Sequence, residues 1–171
     1  MSLSLLDSNV WVSLAIDRHE HHRHAVDWFG KASDDASTCF CRMTQNSFLR
    51  LLTLKALFEE DTMTNNQAIA VYRRLRQDPR VGWLDEPEGL EIKWFALASL
   101  RTPAPKRWMD AYLCAFARSV GADLVTFDCG YLQFEDTALK IVLLPPGAPF
   151  ARSSRGGRGA TQRSRGSGLY S

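Results

Sequence analysis

Residues 107–128, RWMDAYLCAFARSVGADLVTFD, contain one complete helix-to-strand step. Met109, Tyr112, Leu113, Phe116 and Val120 recur at the spacing that places them on one side of an α-helix. Gly121 follows where helices commonly end in a left-handed turn. DLVTF then runs as a continuous apolar strand and stops at Asp128. Strands without polar alternation belong inside a parallel sheet with helices on both faces.

The same grammar repeats outward. LSLL (3–6) is a short apolar run stopped by Asp7, and Asn9 is placed to cap a helix beginning VWVSLA. TCFCRM (38–43) reads as a second strand, with Thr44 capping a helix whose stripe is Phe48, Leu51 and Leu52. A helix over QAIAVYRRLRQ ends at Asp78-Pro79, and VGWL (81–84) is a third strand. Pro87 opens another helix, EPEGLEIKWFALASL, and a last apolar run, LKIVLL, is stopped by Pro145-Pro146. Strands alternating with helices predict an α/β fold with a mainly parallel central sheet. No internal repeat is visible.

The chain has 171 residues and a formal net charge of +2. This value averages two unlike parts. Residues 1–147 read as one folded domain, whereas 148–171 read as an Arg/Gly/Ser-rich tail too poor in apolar residues to fold alone. The tail carries five arginines and no acid, which leaves a body of net charge −3. A uniformly basic nucleic-acid binder is excluded for the body. No apolar run is long enough to span a bilayer, so no membrane association is expected. The N-terminus lacks the basic region of a secretory signal. The four cysteines form no CxxC pair and read as reduced thiols of a cytoplasmic protein. Cys39 and Cys41 alternate in the expected second strand, and a zinc pair there is a minor reading.

Functional groups in parallel sheets gather beyond the carboxyl ends of the strands. Asp7 and Asp128 hold such positions, and Asp110 lies in the first turn of the helix before the second of these strands. If the two strands are neighbours, three carboxylates converge. Such a cluster needs a compensating cation, and a few hard oxygen ligands with room for water suit Mg²⁺ or Mn²⁺. Each aspartate also has a purely local reading: Asp7 as a helix cap, Asp110 as a partner of a helix N-terminus, Asp128 in an Asx-turn. Spacing leaves both readings open.

LLDSNVWVSLA, CRMTQNSFLRLLT, WMDAYLCAFA and LVTFDCGY, in this order and spacing, resemble PIN-domain ribonucleases, and in particular the VapC-type toxins of bacterial toxin–antitoxin pairs. The resemblance spans about residues 3–145. It implies a three-layer α/β/α domain in which Asp7, Asp110 and Asp128 hold the metal and support hydrolysis of RNA. It further implies homodimerisation and a small antitoxin that occludes the site. Asn9 matches the polar residue two beyond the first aspartate, and Thr126 the hydroxyl residue two before the last. Where many members carry a glutamate in the helix after the second strand, this chain has Gln45. The loss of that charge predicts one bound metal rather than a tightly held pair.

Other residues are candidates for binding. Lys106 and Arg107 immediately precede the helix of Asp110 and are the cations best placed for RNA phosphates, and Trp11 and Trp108 are candidate base-stacking residues. The segment HEHHRH holds all four histidines without an HExxH pattern and reads as a solvated connection. The competing class is a PIN-like RNA- or protein-binding module without catalysis. An aspartyl-phosphate phosphatase is disfavoured, because a second acid is required two residues after the nucleophile and Asn9 stands there.

Overall fold

A computed structural model describes residues 3–33 and 35–147. The expected tail at 148–171 lies outside the described residues. Five short strands form one all-parallel sheet: β1 (Ser4–Leu6), β2 (Thr38–Phe40), β3 (Val81–Trp83), β4 (Asp123–Thr126) and β5 (Ile141–Leu143), in the order β3-β2-β1-β4-β5. The sequence alternates these strands with helices α1 (Ser8–Ala15), α2 (His22–Phe29), α3 (Arg42–Leu52), α4 (Lys55–Phe58), α5 (Asn65–Leu75), α6 (Leu90–Ala98) and α7 (Arg107–Val120). The chain reverses direction across the sheet between β3 and β4, so β1 and β4 become neighbours although 116 residues lie between Leu6 and Asp123.

The pleat divides the core. Leu5 and Leu124 point to one face, where Leu113, Phe116 and Tyr112 of α7 and Leu90 of α6 pack. Leu6 and Val125 point to the other, against Val10 and Trp11 of α1 and Phe48 and Leu52 of α3. Both faces of the sheet are thus covered, which is why its strands read as unbroken apolar runs. The architecture is the expected three-layer α/β/α. Among the described residues no helix is long and apolar enough to cross a membrane.

Two helix starts differ from expectation. α1 begins at Ser8 with Asp7 as its cap, rather than at Val10 with Asn9 as cap. β2 ends at Phe40, because Cys41 caps α3 and its N–H donates to Thr44 Oγ at 3.0 Å. Thr44 is therefore the third residue of α3 and closes a capping box. Cys41 consequently leaves the strand and joins the core, so it does not pair with Cys39 across one strand face. The minor zinc reading has no support among the described residues: no group of three or more His, Cys, Asp or Glu side chains is placed to hold a metal ion.

Gly82, in the edge strand β3, sits opposite Cys39. A Cβ there would come 2.6 Å from the Ala36 carbonyl oxygen and 2.7 Å from Cys39 Sγ. Gly82→Ala is expected to destabilise the fold by about 1–3 kcal/mol, the usual cost of overpacking. Urea denaturation of the variant beside the parent protein measures it.

Candidate active site

The pairing of β1 with β4 sets Asp7 beside Thr126. The Asp7 N–H donates to the Val125 carbonyl at 2.9 Å, extending the strand contact by one residue. The Asp7 side chain is buried and its oxygens are surrounded by donors. Oδ1 accepts from the Ser8 N–H at 2.6 Å and from Ser8 Oγ at 3.2 Å. Oδ2 accepts from Asn9 Nδ2 at 2.7 Å and from Thr126 Oγ at 3.0 Å. Thr126 Oγ in turn accepts from Asn9 Nδ2 at 3.1 Å and from the Asp128 N–H at 3.0 Å. Asn9 Oδ1 accepts from the Phe127 N–H at 3.3 Å. One side-chain network thereby orients the ends of β1 and β4 and the start of the turn that carries Asp128.

Asp128 caps a 3₁₀ turn over Cys129–Phe134, with its Oδ1 accepting from the Gly130 N–H at 2.7 Å. That turn delivers Tyr131, whose buried hydroxyl hydrogen-bonds the Asp110 carboxylate. Asp110 lies in the first turn of α7. Asp7, Asp110 and Asp128 line one pocket of about 180 Å³, closed by Ser8, Met43, Thr44, Ser47, Met109 and Tyr131. The local readings of Asp7 and Asp128 therefore hold together with the convergent one: the cap and the turn are how the chain aims these carboxylates.

Electrostatics mark the pocket as short of positive charge. Burial pushes the Asp7 carboxyl up to about 6, with a smaller upward push from the nearby Asp110 charge. Asp110 is also raised, first by burial and then by the charge of Asp128, while Tyr131, Lys106 and Arg107 oppose the rise. Burial holds the Tyr131 hydroxyl neutral, well above its ordinary range, and the carboxylates of Asp7 and Asp110 add to this. The three carboxylates do not close around one point as a ready-made direct coordination sphere, since no group of three acidic or thiol or imidazole side chains does so among the described residues. Their donor set fits an ion that retains several waters, as Mg²⁺ does.

Comparison with known proteins decides the family. A model of the PIN domain matches residues 4–138. This chain belongs to the PIN-domain family. Ribonuclease VapC41 of Mycobacterium tuberculosis is 40% identical over 142 residues, which cover 81% of this chain and 97% of that protein. The PIN fold itself recurs in the crystal structure of the Mycobacterium tuberculosis VapC20, described as a sarcin–ricin loop cleaving toxin. That match has a TM-score of 0.60 at 16% identity and covers 83% of this chain and 99% of VapC20. DNA-bound VapBC from Salmonella typhimurium matches with a TM-score of 0.55 at 18% identity, over 82% of this chain and 97% of that one.

Within this PIN domain the remaining candidates separate. Asn9 and Thr126 hold Asp7, as described. Gln45 does not line the pocket; its Oε1 accepts from Arg42 Nη1 on the outer side of α3. The groups α3 presents to the pocket are Met43, Thr44 and Ser47, all neutral. Arg107 is engaged elsewhere: Nε donates to the Leu97 carbonyl at 2.9 Å and Nη1 to Gln133 Oε1 at 2.8 Å, with the guanidinium 4.6 Å above the Phe134 ring. Lys106 is exposed at the cap of α7. Trp11 is fully buried and stacks on Phe40 at 3.7 Å, so it is a core residue and not a base platform. In the histidine segment, His22 Nδ1 donates to the Ser13 carbonyl at 2.8 Å and His21 stacks on Phe127 at 4.4 Å, so these rings are packed rather than solvated. The residues that sequence reasoning missed are Tyr131, Ser8 and Ser47. Ser8 and Tyr131 each stand within three residues of an aspartate already singled out, and that proximity was the available signal.

Two measurements test this geometry. Thr126→Val keeps the side-chain shape but removes one donor and two acceptances from a buried network. It is expected to cost about 1–3 kcal/mol in thermal or urea unfolding and to raise the Asp7 carboxyl further. Asp7 also makes stability depend on pH. Its folded pKa, about 6, lies above the ordinary 3.8, so the folded state binds more protons between these values and stability falls as pH rises through them. Relative to Asp7→Asn, the metal-free parent protein should lose about 3 kcal/mol across that window, followed by denaturation at a series of pH values.

Proposed function

We propose that this chain is a Mg²⁺-dependent endoribonuclease, with Mn²⁺ as a competent substitute, acting as the toxin of a toxin–antitoxin pair. The observation that carries the reading is the meeting of Asp7, Asp110 and Asp128 on one pocket at the carboxyl edge of β1 and β4, with Asp7 and Asp110 both displaced upward in pKa. Identity to a named VapC ribonuclease over nearly that protein's whole length supports the RNA-cleaving class.

Asp7 and Asp110 would hold the ion directly or through water, and Asp128 would complete the site or orient the attacking water. When bound, the ion lowers the pKa of a water and offsets charge developing on the phosphate. The chain's own residues prepare this. Asn9 and Thr126 fix one oxygen of Asp7 and Ser8 the other. Tyr131 aims Asp110, and the Gly130 N–H aims Asp128. Water attacks phosphorus in line with the departing ribose 3′-oxygen, so the products carry 5′-phosphate and 3′-hydroxyl ends. The neutral wall of α3 supplies no further charge, which supports one ion rather than a close pair. The substrate is single-stranded or loop RNA in the cytoplasm.

The partner is a small antitoxin that covers the pocket, a reading supported by the likeness to VapBC structures, and homodimerisation of the toxin belongs to the same proposal on the family resemblance alone. Induction of the parent protein and of Asp7→Asn or Asp110→Asn, followed by end-mapping of cellular RNA, tests this. The parent protein should generate discrete 5′-phosphate ends and arrest growth. Each variant should lose both effects by at least a hundredfold while keeping its folded circular-dichroism spectrum, and EDTA should abolish cleavage in vitro. Intact cleavage by either variant with Mg²⁺ present overturns the assignment. RNA binding by the parent protein without any cut would favour the non-catalytic module instead.

A further inference from the structure

Residues 92–109, IKWFALASLRTPAPKRWM, contain Lys93, Arg101, Lys106 and Arg107 and no acidic residue, within a body of net charge −3. The same segment carries the most exposed aromatic cluster of the described residues. Trp94 and Phe95 of α6 meet Trp108 of α7 edge-on, with ring centroids 6.0 and 6.5 Å apart and both interplanar angles at 81°. Trp94 Nε1 donates to the Trp108 carbonyl at 2.8 Å, which holds the two helices in register there. Trp108 is nonetheless 52% exposed and Phe95 48%.

Beside Trp108 lies a recess of about 260 Å³, bounded by Ser99, Leu100, Thr102 and Pro103 of the α6–α7 loop. It is smaller than the roughly 300–1,000 Å³ of drug-sized sites and suits a single planar heterocycle. Pro103 and Pro105 stiffen the loop that forms it. The recess and the acidic pocket share no lining residue but meet the same end of α7 from different sides. Met109 lines that pocket and Asp110 follows it, so Trp108 and Asp110 flank one helix end about 10–12 Å across. A single strand laid over the start of α7 meets the carboxylates with a phosphate and the indole with a neighbouring base. Arg101 and Lys106, both exposed, border its backbone.

We propose that Trp108 is the stacking platform for an unpaired base next to the bond that is cut, with the Ser99 and Thr102 hydroxyls at the edge of that base. The proposal rests on the ribonuclease reading above. Charge selects RNA over a second copy of this chain. A two-fold contact would set the basic segment against itself, whereas RNA brings the opposite charge and flat rings that stack on any indole.

The test separates binding from cleavage. A short single-stranded RNA carrying one 2-aminopurine is titrated with protein in EDTA, and its fluorescence is followed for the parent protein, Trp108→Ala and Trp108→Phe. The parent protein should quench the probe. Trp108→Ala should lose the quench and about tenfold in affinity, or 1.4 kcal/mol. Trp108→Phe should keep most of both, because its ring still stacks. Equal binding and quench by Trp108→Ala overturns the proposal, as does Trp108→Phe behaving like Trp108→Ala. So does a change of oligomeric state in Trp108→Ala with RNA binding unaltered. A Trp108-dependent quench from a protein that cuts no RNA with Mg²⁺ would sink the hydrolytic reading and leave the platform standing. Cleavage with kcat/KM unchanged in Trp108→Ala would do the reverse.

Discussion

A carboxylate placed between two parallel strands is costly to bury unless donors surround it, and Asp7 is surrounded. Four hydrogen bonds reach its two oxygens, from Ser8, Asn9 and Thr126. Those donors belong to the element after β1 and to the end of β4, so satisfying one charge fixes the relative height of two strands far apart in sequence. The apolar pairs beneath, Leu5 with Leu124 and Leu6 with Val125, supply the burial that makes the arrangement stable. The residual upward displacement of Asp7 shows that the donors do not fully offset desolvation.

That imbalance is useful for chemistry. A carboxylate fully neutralised by its neighbours has little left to offer a cation, whereas one still above its ordinary range gains by meeting one. Asp110 and Asp128 add to the deficit across the same pocket. Capping a helix or turn and lining a shared pocket are thus not alternatives for these side chains. The cap at Asp7 and the Asx-turn at Asp128 are the local geometries that turn two carboxylates toward a shared space.

The sheet was largely legible in the sequence because burial on both faces leaves a plain signature, an unbroken apolar run ended by a polar residue. Asp7 and Asp128 stood out for the same reason, each ending such a run, whereas Asp110 sits in a helix that follows another helix and joined them through the family resemblance; spacing left a local role open for all three. The α3 wall was not. Phe48 and Leu52 mark its buried stripe, and stepping back four residues gives Thr44, which reaches the pocket; Gln45 is one position around the helix and points away. Which polar residue ends a stripe depends on where the helix starts, and the start was moved by a cysteine cap with no strong sequence preference. Trp11 and Trp108 were indistinguishable as letters. Packing against Phe40 buried the first, and the position of the α6–α7 loop exposed the second.

The last described residue is tied back to the turn that carries Asp128. The Gly147 N–H donates to His21 Nδ1 at 2.8 Å, and the His21 ring lies on Phe127, the residue between Thr126 and Asp128. A side chain at 147 would strike the Glu20 carbonyl, so this exit depends on glycine. Residue 147 is thereby pinned through one histidine ring to the residue that precedes Asp128, so the end of the described domain and the turn of Asp128 share a support.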